Sequence, residues 1–129
     1  MIKYSRENRK YFLRKSSQWI TIVGTEPLLI RANSSYDIET GISFWLDGGT
    51  VGLLIEASLP PVLRITNKSI RGKTKLIISV YNTSHEDVIL SSPIEICYVI
   101  PLASAYFTNI EIEEIDSAWF TAGNSITEI

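Results

Sequence analysis

Cysteine and histidine are almost absent from this chain, which contains Cys97 and His85 and no other residue of either type. A single cysteine excludes an internal disulfide and is typical of a protein that works in a reducing compartment. Cys97 stands in an alternating apolar stretch, which predicts a small buried hydrophobic residue rather than a reactive thiol. A zinc site needs three or four cysteine or histidine ligands, so we expect no metal and no cofactor.

Long hydrophobic runs are also missing. The longest uncharged stretch covers residues 96–110, only fifteen residues, and it contains Pro101. This stretch is too short and too broken for a transmembrane helix, and we expect no secretion leader because no basic-then-apolar segment opens the sequence. With 129 residues and an ordinary globular composition, the chain is expected to form one domain with a modest core and no membrane insertion.

Positive charge is confined to the first part of the chain, because residues 76–129 contain no lysine or arginine but eight acidic residues. Residues 1–15 hold six of the twelve basic residues. We interpret residues 1–16 as a basic amino-terminal arm that docks on the acidic surface of another subunit or partner. Weak, salt-sensitive binding to nucleic acid is the alternative. Sequence-specific nucleic-acid recognition is not expected, because the arm offers no folded recognition helix.

A sustained helical stripe of apolar residues is missing as well, and residues 4–15 are the best helical candidate. Residues that favour strands cluster in short runs broken by glycine, proline, asparagine and serine. The pattern predicts an all-β domain over residues 17–116, either a sandwich or a barrel, and a carboxyl-terminal tail at 117–129. The predicted strands are residues 17–23, 27–31, 36–46, 50–57, 62–66, 74–82, 87–90, 94–101 and 105–115.

Three segments carry a resemblance to a known family. Residues 79–100 give a strand ending in Asn82, a polar turn, a short strand, a tight turn and an apolar strand. Residues 40–42 read Thr-Gly-Ile, and residues 45–52 read Trp-Leu-Asp-Gly-Gly-Thr-Val-Gly. In this order and spacing, residues 26–115 resemble the dUTPase-like superfamily of trimeric dUTP pyrophosphatases and dCTP deaminases. The resemblance implies a distorted β-barrel or jelly-roll-like sandwich, and a homotrimer whose tails exchange between subunits.

The residues that would carry the chemistry of that family mostly differ in this chain. The phosphate-gripping Pro-Arg-Ser motif reads Glu-Ala-Ser at residues 56–58, so an acid stands where the family binds phosphate. The position of the water-activating aspartate is occupied by Asn67, whose amide cannot accept a proton at neutral pH. Ser58, Asn67 and Arg71 are therefore interpreted as vestigial positions of a nucleotide site.

Other parts of that site have no match in the sequence. Asp37 lies too close to the Thr-Gly-Ile segment to be the metal-organising aspartate of the family's first motif. The stretch between Ser58 and Arg71 is shortened and holds two prolines in place of the hairpin that reads the uracil. The glycine-rich closing arm is absent from the tail, and the catalytic glutamate of the deaminases has no match. We therefore predict that the chain is not an enzyme and neither binds nor hydrolyses dUTP.

A member of the superfamily without these motifs implies a viral or phage source. We predict a structural or docking module, most simply a virion accessory such as a head-decoration or fibre-base trimer, located in the virion or the host-cell cytoplasm. The first alternative is a regulatory protein that binds a host partner through its tail, because Thr127, Glu128 and Ile129 fit the carboxyl-terminal pattern that PDZ domains capture. The second alternative is a divergent nucleotide pyrophosphatase.

Overall fold

The computed structural model describes residues 2–103 and 112–115, and over these residues the chain forms β-strands and no helix. Adjacent β-formers are separated by glycine, proline and serine, which explains why most strands are short. The strands are β1 Ile2–Arg6, β2 Tyr11–Lys15, β3 Ile20–Gly24, β4 Leu28–Ile30, β5 Ser35–Leu46, β6 Thr50–Glu56, β7 Leu63–Ile65, β8 Ser69–Arg71, β9 Lys73–Asn82, β10 Val88–Leu90, β11 Ile94–Ala103 and β12 Ile112–Glu114.

Over the described residues, the strands form two five-stranded sheets and a two-stranded ribbon. The first sheet has the strand order β12-β1-β5-β9-β7, the second has the order β2-β3-β11-β6-β8, and β4 pairs with β10 in the ribbon. Within the described residues every pair is antiparallel except β1 with β12. The sheets are not closed into a barrel. The predicted all-β fold is confirmed, in its sandwich form.

The core lies between the facing sides of the two large sheets. In β9, Leu76, Ile78 and Val80 are at most 1% exposed, whereas the residues between them reach the surface. Ile20 and Ile22 of β3 enter the same core from the second sheet. Burial of each such side chain contributes roughly 1.5–3 kcal/mol, so the packing of the two sheets is the main source of stability.

Residues 2–15 supply one strand to each large sheet, β1 between β12 and β5 and β2 beside β3, whereas we expected an arm ahead of the domain. The helical prediction for residues 4–15 is wrong, because their apolar residues pair across strands: β1 lies against β5, and β2 lies against β3. Arg6 Nε lies 3.2 Å from a carboxylate oxygen of Glu114, and Arg14 forms an ion pair with Glu95. These amino-terminal cations therefore meet distal acids within one chain.

The remaining predicted strands are found with small shifts of their ends, and β8 was not predicted. Its three residues, Ser69–Arg71, pair with β6, but they follow a lysine and alternate too briefly to give a signal. The predicted strand at residues 105–115 is described only as β12 at Ile112–Glu114. The rest of that segment, and the predicted tail at 117–129, lie outside the described residues. No helix in the described ranges is long and apolar enough to cross a membrane.

Asn82 ends β9 and holds two loops together. Its side chain is fully buried, and its amide donates to the backbone carbonyls of Ile30 and Glu86 at 3.1 and 2.8 Å. Its carbonyl oxygen accepts the backbone N–H of Ser84 at 2.9 Å. An asparagine in this place satisfies backbone groups that a strand end would otherwise leave unpaired.

Gly41 marks a break in the pairing of β5 with β9, where the register shifts between Glu39 and Ser43. Its φ is +70°, a conformation that glycine adopts without a steric penalty. Its carbonyl accepts the backbone N–H of Glu7 at 2.8 Å, and a Cβ added here would lie 2.6 Å from Asn8 Nδ2. The glycine thus lets the strand bend against the β1–β2 loop.

We predict that Gly41→Ala lowers the free energy of unfolding by about 2 kcal/mol, because a side chain at this positive φ is strained. Denaturant unfolding followed by circular dichroism measures the change. Gly48→Ala in the neighbouring hairpin turn is the matched control, since Gly48 is exposed and is not among the glycines with positive φ. Equal stability of the Gly41→Ala protein and the wild type would contradict the assigned role.

Candidate functional site

Asn67, which the sequence resemblance predicts at the position of the family's water-activating aspartate, is hydrogen-bonded to the backbone of β9. Its amide nitrogen donates to the carbonyl of Ile77, and its oxygen accepts the N–H of Ser79 at 2.9 Å. The backbone N–H of Thr66 donates to the carbonyl of Ser79 at 2.8 Å. The Asn67 side chain therefore continues the hydrogen-bond ladder of β7 and β9 after β7 has ended. Such an arrangement requires a donor and an acceptor, which an amide provides and a carboxylate does not.

Glu56, which the sequence placed beside a phosphate-binding position, also serves the fold. One carboxylate oxygen accepts the backbone N–H of Ile65 at 2.7 Å, and the same oxygen lies 3.9 Å from Lys68 Nζ. Ile65 is fully buried, so its N–H needs this acceptor. The carboxylate thus fixes β7 against the end of β6, and its charge is balanced in part by a lysine.

Ser58 and Arg71, the other two predicted positions, are not brought together within one chain. The backbone N–H of Ser58 donates to the backbone carbonyl of Glu95 at 2.9 Å. This hydrogen bond extends the β6–β11 ladder beyond the end of β6. Arg71 pairs with Val51 at the opposite end of β6. Val51 and Ser58 are seven residues apart, which corresponds to about 23 Å of extended chain. Any nucleotide site that used both would require another chain to complete it.

The single cysteine is buried in the core, and the single histidine is hydrogen-bonded within a turn. Cys97 is fully buried, and burial raises the pKa of its thiol to about 12, so the thiolate nucleophile is not populated near neutral pH. His85 Nδ1 lies 3.1 Å from the Asn33 side-chain nitrogen in the turn between β9 and β10. Among the described residues, no group of three or more histidine, cysteine or acidic side chains could hold a metal ion.

The predicted partner-binding tail, Thr127, Glu128 and Ile129, lies outside the described residues. Its role as a ligand for a host domain therefore stays a prediction.

The second sheet carries an apolar surface that the sequence analysis missed. Ile55 lies opposite Tyr98, Leu53 opposite Ile100, and Val51 opposite Leu102, all on the side turned away from the core. We call these six residues the apolar outer face; they are Val51, Leu53, Ile55, Tyr98, Ile100 and Leu102.

Aromatic packing extends this surface toward β3. Ile55 is 40% exposed and Leu102 is 49% exposed. Trp19, which is 39% exposed, contacts Tyr98 with the ring centroids 5.8 Å apart. A signal was available in the sequence, because β6 and β11 read as nearly continuous apolar runs, the pattern of strands covered on both sides.

The two large sheets differ in the sides that they turn away from the core. On the first sheet, that side is rich in charge and also carries the apolar Ile77 and Trp45. Its charged residues include Lys3, Asp37, Glu39, Arg64, Lys73 and Lys75. On the second sheet, charge is limited to Arg14 and Glu95, which pair with each other, and to Arg71 at the opposite margin. Only the second sheet therefore offers a charge-free surface for packing.

Comparison with solved structures finds the same architecture in dUTPases. The dUTPase of EIAV matches with a TM-score of 0.65 and 13% sequence identity, over 86% of this chain and 97% of that chain. A mutant dUTPase of Staphylococcus bacteriophage 80alpha, solved with dUpNHpp, matches with a TM-score of 0.67 and 14% identity, over 91% of this chain and 90% of the other. A second mutant of that phage enzyme gives the same values.

The chain has the dUTPase-like fold. The predicted fold resemblance is thereby confirmed, and its viral and phage associations agree with the sources of these structures. At 13–14% identity the likeness shows the fold alone. No protein-family model and no curated protein sequence matches the chain.

The prediction that the chain is not an enzyme is contradicted by these neighbours. All three are dUTPases, which are enzymes, so the dUTPase-like fold points to an enzyme family. We had inferred the absence of catalysis from missing motifs, which describe local residues and not the architecture that carries them.

We predict that Asn67→Asp lowers the free energy of unfolding by about 1–3 kcal/mol, because the carboxylate loses the donor to Ile77 and places charge beside its carbonyl. Denaturant unfolding at neutral pH measures the effect. Gln18→Glu makes the same chemical change at an exposed position and should alter stability by less than about 0.5 kcal/mol. An Asn67→Asp protein as stable as the control would show that the amide does not support the sheet.

Proposed function

We propose that this chain is a docking module built on the dUTPase-like fold, which acts through surface contacts with other protein chains. The observation that carries this proposal is the apolar outer face, together with the absence of charge from its centre. Exposed, contiguous apolar surface is commonly an interaction site, because it gains free energy when it is covered. Scattered exposed apolar residues would not support this function. Here three cross-strand pairs of apolar residues follow one another along β6 and β11.

The working form that we propose is a homotrimer in a virus or phage. The trimer is the assembly implied by the resemblance to the dUTPase-like superfamily, and two of the similar structures come from a bacteriophage. A symmetric trimer presents three copies of every docking surface, which raises the overall affinity for a repeating partner such as a particle surface. A virion accessory, such as a decoration or fibre-base protein, is the proposed role and the virion is the proposed location.

A regulatory role in the host-cell cytoplasm is the alternative form of the same docking function. The report of one similar structure states that phage dUTPases control transfer of virulence genes by a proto-oncogenic G protein-like mechanism. A protein of this fold can therefore act in control of a biological process. In this chain the carboxyl-terminal Thr127, Glu128 and Ile129 would be the contact with a host partner.

A divergent nucleotide pyrophosphatase is the second candidate function, favoured by the fact that the similar structures are dUTPases and that two of them hold dUpNHpp. Ser58 and Arg71 would then act from different chains, since Ser58 follows the end of β6 and Arg71 pairs with Val51 near its start. Pyrophosphate release from dUTP with magnesium, measured on the assembled protein, separates this candidate from a role in docking alone.

Sedimentation of the purified protein at micromolar concentration tests the assembly. We expect a single species of about three times the 14.5 kDa chain mass. A monomer across the whole concentration range would contradict the proposed homotrimer. For the proposed role, the protein should be present in purified particles; its restriction to infected-cell extract would favour the regulatory alternative and overturn the virion role.

A further inference from the structure

We infer that residues 116–129 dock on the outward side of the first sheet, over β1 and β5 of the same chain. The observation that carries this inference is burial on a side that faces away from the core. Phe44 points into the core, so its neighbours Ser43 and Trp45 point outward, and Ser5 lies directly opposite Ser43. Nevertheless Ser5 is only 2% exposed, and Ser43 and Trp45 are each 8% exposed. We call these three residues the covered patch.

Neighbouring strands of the same sheet do not provide this cover. Trp45 lies between Lys3 and Lys73 in the strand register, and Ser43 lies opposite Lys75. Lys3 Nζ lies 5.1 Å from the centre of the Trp45 ring, but a lysine keeps its charged end in water and covers only part of a neighbouring ring. The Lys75 side chain is 77% exposed, so it extends into water instead of lying over Ser43. Cover of the whole patch requires a further segment.

The cover is narrow. On the same side of the sheet, Ile77 of β9 is 38% exposed, and Glu39 opposite it is exposed as well. A second globular subunit packed on this side would bury these residues together with the covered patch. One extended segment is about as wide as the spacing between strands, roughly 4.8 Å, and buries only the residues that it crosses. The pattern of burial therefore favours a segment over a subunit.

Residues 116–129 start at the margin of the covered patch. The backbone N–H of Ile115 donates to a backbone carbonyl of β1 at 2.7 Å, which places Ile115 beside Ser5 in continuation of the β1–β12 register. From there Trp45 lies two strands away and two residues along β5, a distance of about 12 Å. Four extended residues span about 13 Å, so Trp119 is the residue that reaches Trp45.

The composition of the segment suits the patch. Trp119 and Phe120 are large apolar side chains, which gain free energy when they pack on an indole ring. Residues 116–129 contain Asp116 and Glu128 but no lysine or arginine, so docking brings no cation toward the lysines around the covered patch. Because the segment begins beside β1 of its own chain, it needs no second copy, whereas the resemblance to the dUTPase-like superfamily implies tails that exchange between subunits.

Fluorescence quenching of Trp45 tests whether this segment is the cover. In a protein with Trp19→Phe and Trp119→Phe, Trp45 is the last tryptophan left, and acrylamide should quench it weakly. Addition of Phe120→Asp should raise the quenching constant about twofold or more, because a charge is unfavourable in an apolar contact. Ser125→Asp is the matched control, since it adds the same charge to the same segment and removes no apolar side chain. It should leave the quenching unchanged.

Cysteine cross-linking tests whether the segment docks on its own chain. Ser43→Cys combined with Ala118→Cys should form a disulfide within one chain on mild oxidation, because three extended residues beyond Ile115 span about 10 Å. Native Cys97 is fully buried and does not compete. Ile89→Cys combined with Ala118→Cys is the control, because Ile89 is 69% exposed on the β4–β10 ribbon, and this pair should not cross-link. A denaturing gel without reductant and peptide mass spectrometry identify the product.

Each outcome decides for or against the inference. Exposure of Trp45 by Phe120→Asp, together with the disulfide within one chain, supports it. Strong quenching of Trp45 in the full chain, or unchanged protection after removal of residues 116–129, would show that the segment is not the cover. A disulfide between two chains, or none, would overturn docking on the same chain. Should Phe120→Asp not keep its strands by circular dichroism, the chain without residues 116–129 replaces it. The proposed homotrimer is decided separately, by sedimentation.

Discussion

Packing between the facing sides of two five-stranded sheets is the constraint on which the rest of this structure depends. Side chains alternate along each strand, so burial of one side fixes the direction of every other residue. On the first sheet the outward residues are mostly charged and polar, as expected for a surface that water covers, with Ile77 and Trp45 among them. On the second sheet they are aliphatic and aromatic, although the core is already filled from the other side. The proposed docking function would account for that difference.

Much of the architecture could be predicted from the sequence, because alternation and turn residues are local signals. The Thr-Gly-Ile segment and the asparagine that ends β9 indicated the fold, and the structure shows why: Gly41 adopts a positive φ, and Asn82 satisfies the carbonyls of two loops. The first fifteen residues were misread because clustered positive charge suggested an arm. Partners for those charges, Glu95 and Glu114, lie far away in sequence, and only the fold brings them near.

At the candidate site, the sequence did not predict which backbone groups the side chains bond. The assignment of Asn67 to a vestigial nucleotide site stays a prediction, and the hydrogen bonds of its side chain to β9 depend on a strand register that the sequence does not contain. The Glu56 carboxylate accepts the backbone N–H of buried Ile65. The residues next to Glu56 in the sequence did not indicate this role. Missing motifs led to the mistaken prediction that the chain is not an enzyme, since motifs report on individual residues while the dUTPase-like architecture survives around them.

The central claim is that another protein chain covers the apolar outer face in the proposed assembly, and the solvent accessibility of Trp19, which contacts Tyr98 of that face, reports on it most directly. Acrylamide quenching of tryptophan fluorescence is compared between the wild type and Trp19→Phe, so that the difference isolates Trp19. At concentrations where sedimentation shows assembled protein, Trp19 should be protected from the quencher. Dilution to monomer should increase its quenching, because Trp19 is 39% exposed in a single chain. Equal quenching of Trp19 in the assembled and diluted protein would contradict the account.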